Sequence, residues 1–324
     1  MSRYFLITSL ACLGLGSLLG VHMALGMAGL APLEHWARLL QSHAVLQVHG
    51  FMVMLVLGVA LLVLPRFLNV PLAVPQVALL SWALLTASVL LSVVGSASLL
   101  TRLLEVAGIL AFLVVLRRTR NQAPYHEADL HERKINRLHA GFMASGAMWL
   151  IMSVMAPEGR AGHEFVLWGF ASMYVAGIGL RVHPQILGFR VGTTAPLAWS
   201  LLFWNAGLGL ELAGWESGRL LSCLGMGLYL VGLNPFRRAS FPPEGSVWLR
   251  LYLKTAYAWL VLTLFAAILA EIAGPANLGA ATLHLLTSGF LLTMIVGMAF
   301  ELIPTHLDSP LVWPRAVWLL LLLL

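Results

Sequence analysis

HAVLQVHGFMVMLVLGVALLVLP, residues 43–65, is the stretch whose reading decides the fold. Stripped to its skeleton it is a histidine, then Gly50-Phe51, then Gly58 after six residues, then Pro65 after six more. The same skeleton returns in HEFVLWGFASMYVAGIGLRVHP, residues 163–184, and in HLLTSGFLLTMIVGMAFELIP, residues 284–304. The copies are anchored on Gly169-Phe170, Gly177 and Pro184, and on Gly289-Phe290, Gly297 and Pro304. Successive phenylalanines stand 119 and 120 residues apart, and each copy opens on a histidine: His43, His163 or His284. A fixed interval of this kind predicts a repeated structural unit.

The unit is a membrane one. A chain that is 60% hydrophobic and 10% charged, with a mean hydropathy of +0.90, has too little polar surface to clothe a water-soluble domain. Roughly 20 apolar residues cross the hydrocarbon as a helix. Such stretches run at 5–31, 43–65, 72–96, 99–116, 138–157, 163–183, 195–214, 216–234, 250–272 and 279–304. An eleventh begins near Trp313 and enters an unbroken leucine run to Leu324 with no polar anchor behind it, so the pattern predicts a third unit continuing to twelve helices.

The expected fold class is therefore an all-α polytopic integral membrane protein: one transmembrane domain over 1–324, with three four-helix pseudo-repeats at 1–116, 138–234 and 250–324. Arg3 ahead of an apolar run imitates a signal peptide, but the run is too long for one and the repeat needs it as helix one.

Charge gives the orientation. Of 19 Lys and Arg, only Arg38, Arg102, Arg160 and Arg219 fall on the outer side when the N-terminus is placed in the cytoplasm, which predicts a multi-pass protein of a bacterial inner membrane. Topology thus accounts for the pI of about 9.8, and no nucleic-acid partner is called for, since the basic residues are scattered over short loops. Cys12 and Cys223 lie in separate apolar segments without CxxC or CxxCH spacing, so neither a disulfide framework nor covalent haem attachment is expected.

The second, sixth and tenth helices run in one direction, and their prolines mark a common level. His43 lies 22 residues before its proline, His163 21 and His284 20. At about 1.5 Å per residue the three agree in height to within about 3 Å. His49, without a counterpart in the other copies, falls about 9 Å deeper on the same count. Imidazoles converging at one depth are what a metal or haem iron needs from a helix bundle.

His43, His49 and His284 are accordingly the candidate cofactor-binding residues, and His43, His163 and His284 the candidate metal ligands. The competing reading of each is a hydrogen-bonded packing residue or, toward the headgroups, an interfacial one. Gly50, Gly169 and Gly289 either leave room for a flat macrocycle or let helices approach closely. His139, His183 and His306 are placed at helix ends on the cytoplasmic side. Of the few intramembrane acids, Glu105, Glu211 and Glu271 fall in the outer half and Glu301 near the inner end. That leaves little to build a transmembrane proton path, and pumping is not expected.

Four-helix units with histidines on helices two, six and ten resemble the catalytic subunit of the haem-copper oxidases and nitric oxide reductases. The resemblance is architectural. No His-His pair occurs, residues 195–214 hold no histidine, and helix ten carries one intramembrane histidine, so a three-histidine copper site and terminal-oxidase activity do not carry over.

A narrower resemblance is to the NnrS family, haem-containing membrane proteins of nitric oxide response and denitrification. His284-Leu285-Leu286-Thr287-Ser288-Gly289 with Thr293-Met294 resembles that family's HxLTxG…TM stretch, and His43-Ala44 before Gly50-Phe51 resembles the start of its HAHEMxxGF segment. Val45 and Leu46 replace the second histidine and the glutamate of that segment, and Pro304-Thr305-His306 stands where the family has Gly-His-Thr.

The resemblance implies haem and, more distantly, copper, as far as His43 and His284 carry them. It implies a diatomic gas such as nitric oxide as ligand and an electron donor of unspecified identity; any turnover would be oxidoreduction of that gas. The alternatives are a membrane transporter or chaperone for metal, haem or a small solute, and a haem-free oxidase-like assembly subunit. Three parallel units without a matched mid-helix break speak against a typical transporter.

Overall fold

The structure, a computed structural model, describes residues 1–32, 34–95, 99–123, 129–156, 160–215, 217–244, 246–273 and 278–299. Pro304, Glu301, His306 and the expected eleventh helix lie outside the described residues.

Each of the ten apolar stretches contains a helix. We label them α1 (Ser2–Met27), α2 (Trp36–Arg66), α3 (Pro75–Val93), α4 (Leu99–Arg120), α5 (Leu130–Met155), α6 (Gly162–Leu187), α7 (Ala195–Leu212), α8 (Gly218–Leu233), α9 (Val247–Ile272) and α10 (Gly279–Ala299). All except α7 and α8 are both long and apolar enough to cross a membrane, and α8 is a shorter apolar helix. The chain is a polytopic helical membrane protein.

Local chemistry sets the ends. Prolines open α3 and α7, where a missing N–H costs nothing. Gly29, Gly95 and Gly214 follow α1, α3 and α7 with φ of 75°, 88° and 85°, the left-handed region in which a helix is readily terminated. Arg117, Arg118 and Arg120 occupy the last turn of α4, where cations complement the helix dipole.

The three Gly-Phe dipeptides share an unusual backbone. Gly50-Phe51, Gly169-Phe170 and Gly289-Phe290 each lie in a π-helical stretch, at Leu46–Val53, Phe165–Ala171 and Leu285–Leu292. All three phenylalanines are buried. Widened turns of this kind are rare and are frequently found at functional sites.

The contacts gather into two units: Met1–Glu127 with Ala147–Ala171, and Ala128–Gly146 with Ser172–Leu324. In the first, α1 lies along α2, α3 pairs with α4, and the π stretches of α2 and α6 touch. Small residues set the spacing. A Cβ on Gly50 would stand 2.7 Å from Cys12 Sγ, one on Gly58 2.8 Å from Phe5 Cβ, and one on Gly108 2.7 Å from Leu85 Cγ. Ser81 and Ser88 bind the Gly108 and Thr101 carbonyls at 2.7 and 3.1 Å, so α3 and α4 are joined by packing and by buried hydrogen bonds.

In the second unit α7 and α8 form a close hairpin in which Gly225 backs onto the Trp204 backbone, and α9 packs on α10. A Cβ on Gly289 would meet Trp259 Cγ at 2.9 Å. At Gly50 and Gly289, then, the two readings of the glycines resolve to close helix contact: the space that a macrocycle would need there holds Cys12, Val89 and the Trp259 indole.

Candidate functional site

His49 lies inside the π stretch of α2, Glu105 on α4, and His163 two residues ahead of the π stretch of α6, all within the first unit. His49 Nδ1 donates to Glu105 Oε1 at 2.7 Å, and His49 Nε2 meets His163 Nδ1 at 3.2 Å. The imidazoles stand edge to face, with centroids 5.2 Å apart. The His49 and Glu105 side chains are 15% and 13% exposed. Acid, base and base are therefore hydrogen-bonded in series across three helices, in a region where an unpaired polar group is costly.

Counting from the prolines puts His49 about 9 Å below the layer of His43 and His163; the structure seats its ring on His163. The count assumes a straight α-helix of uniform rise. The π stretches of α2 and α6 depart from that rise and turn, and side-chain reach closes the remaining gap.

His43 sits one helical segment earlier, three residues before the π stretch. Its Nδ1 lies 2.8 Å from the Gly16 carbonyl oxygen. A carbonyl only accepts, so Nδ1 carries a proton, and in the neutral tautomer that this bond selects the lone pair is on Nε2. That tautomer, fixed by a backbone carbonyl, is the one found in ligating histidines. Gly20 makes room for the ring: a Cβ there would stand 3.0 Å from His43 Cε1. Gln47 completes the contact with α1, its amide reaching Ser17 Oγ at 3.3 Å and the Leu13 carbonyl at 3.4 Å.

His284 immediately precedes the π stretch of α10 and is exposed. Also in the second unit is a polar cluster that the sequence did not announce. His183, expected at a helix end, is 2% exposed, and its Nδ1 is 2.6 Å from the Tyr257 hydroxyl. Tyr229, 3.4 Å from Tyr257, donates to the Ala176 carbonyl at 3.1 Å. Gly179 leaves the space, since a Cβ there would fall 2.7 Å from His183 Nδ1. The neighbouring Pro184 makes His183 look terminal in the sequence. Only its pairing with a tyrosine 74 residues away shows it to be core. His139 is likewise committed, donating from Nδ1 to the Gly177 carbonyl at 2.7 Å.

No family model matches this chain, and no curated protein does either.

The donor set can be tested against the groups that the resemblance implies. Among the described residues, no three His, Cys, Asp or Glu side chains are arranged to hold one metal ion. Imidazole–metal bonds are about 2.0–2.1 Å long, so two imidazoles on opposite faces of one haem iron would hold their nitrogens about 4 Å apart. The 3.2 Å between His49 and His163 does not suit that arrangement and suits a hydrogen bond. His43, with its tautomer set and Nε2 unspent on the carbonyl, does fit an axial ligand.

Proposed function

We propose that this multi-pass membrane protein holds haem through His43 and serves the nitric oxide response in a bacterial inner membrane with its N-terminus in the cytoplasm. The observation that carries the reading is the hydrogen bond from His43 Nδ1 to the Gly16 carbonyl, which commits the ring to present Nε2. The stretches around His43 and His284 that resemble the NnrS family, and the π-helical backbone beside both, support it.

When bound on one imidazole, haem iron supplies an open coordination position for a diatomic; on two it serves electron transfer. The protein's part is to hold the imidazole in one tautomer, through Gly16, and in one orientation, through the contact at Gly20. Copper is assigned no residue set.

The full chain, expressed with haem in excess and purified in detergent, is expected to show a Soret band that shifts on addition of nitric oxide. H43A is expected to lose the band. Folded wild-type protein without haem would overturn the proposal.

A further inference from the structure

We propose that Glu105, His49 and His163 form a local proton relay, which takes up a proton at His163 Nε2 and stores it as a His49 imidazolium paired with the Glu105 carboxylate. The relay stands on the three side chains and does not depend on haem at His43.

Two bonds join the three groups, at 2.7 and 3.2 Å. In the resting state His49 Nδ1–H donates to the Glu105 carboxylate, and His163 Nδ1–H donates to the lone pair of His49 Nε2. Both imidazoles are then neutral and His163 Nε2 carries a free lone pair. A proton delivered there by water or a buffer acid releases the Nδ1 proton of His163 to His49 Nε2. His49 becomes an imidazolium donating both ways, to Glu105 and back to His163. One N–H bond forms at His163 Nε2, one breaks at its Nδ1, and one forms at His49 Nε2. The assembly's charge rises from −1 to zero, and both hydrogen bonds survive with the second reversed.

Because no hydrogen bond is lost, transfer avoids the penalty of stranding a buried donor or acceptor. The carboxylate is where the stored charge needs it. Among the described residues, the ionisable groups shown acting on His49 and His163 are one another and Glu105. Histidine is the side chain suited to such a store, since it changes charge between about pH 5 and 8. Chained intramembrane His and Glu residues are characteristic of proton relays. Three groups make a local store rather than a path across the membrane.

The test uses the full chain in nanodiscs with ring-labelled histidine, followed by infrared difference spectroscopy across pH and by a pH-indicator dye after a rapid pH drop. The wild type is expected to show an imidazolium band that H49Q removes, and whose midpoint E105Q lowers by roughly one pH unit or more. E105D, which restores the carboxylate, should recover most of that shift, and H163Q is expected to slow proton uptake by about tenfold or more. Circular dichroism and melting confirm that each variant is folded. A midpoint unmoved by E105Q, or uptake unchanged in H163Q, would overturn the relay. So would stoichiometric metal in the wild type that is lost in H163Q, since a metal would then occupy the two nitrogens.

Discussion

The Glu211–Arg219 pair shows what a single side chain contributes in this chain. Arg219 Nε and a terminal guanidinium nitrogen grip the two carboxylate oxygens at 3.0 and 2.7 Å, with Ser222 Oγ adding a longer bond at 3.4 Å. Both side chains are largely buried, at 15% and 13% exposure. R219A strands the carboxylate and is expected to cost about 1.5–3 kcal/mol in detergent unfolding. R219K, which keeps the charge and loses the fork, should fall between. His49 makes the complementary point about legibility. It has no counterpart in the other copies, and Glu105 is one of three acids that the sequence places in the outer half. Each was visible as a residue; their partnership was not, since they stand 56 positions apart on different helices.

At the scale of the element, glycines decide how near two helices come. A Cβ at Gly225 of α8 would stand 2.5 Å from Trp204 N and 2.8 Å from Trp204 Cα, and backbone atoms do not step aside. G225V is expected to lower stability by about 1–3 kcal/mol or to open the α7–α8 hairpin. Gly227, two residues on, has nothing within 4 Å of its Cβ position. There G227A should be neutral or stabilising by up to about 1 kcal/mol, since alanine favours the helix. Thermal unfolding of the two variants side by side checks both outcomes. The shared Gly-Phe skeleton belongs at this scale too. Its spacing predicted a repeated element, and each dipeptide lies in a π stretch. The sequence marked where the backbone is unusual without showing that it is π.

For the whole molecule, topology is the testable quantity. With the N-terminus inside, the α4–α5 connection faces the cytoplasm and the α7–α8 connection faces outward. In a background lacking Cys12 and Cys223, both buried and free, N121C should react with impermeant maleimide only in inside-out vesicles and W215C only in right-side-out ones. Labelling of both from one side would reverse or shorten the proposed arrangement.

Hydropathy alone places this chain in a bilayer and locates most of its described helices to within a few residues, in the stretches from 5–31 to 279–304. Hydropathy and helix-breaking residues act locally and add along the chain, so they can be read without a partner in view. Only the tertiary structure decided which histidine meets which group: His49 with Glu105 and His163, His43 with the Gly16 carbonyl, His183 with Tyr257. Those pairings depend on helix rotation and on the π turns, which change the rotation and rise that a residue count assumes. A hydrogen bond tolerates only a few tenths of an ångström, so no count of residues along a helix resolves it.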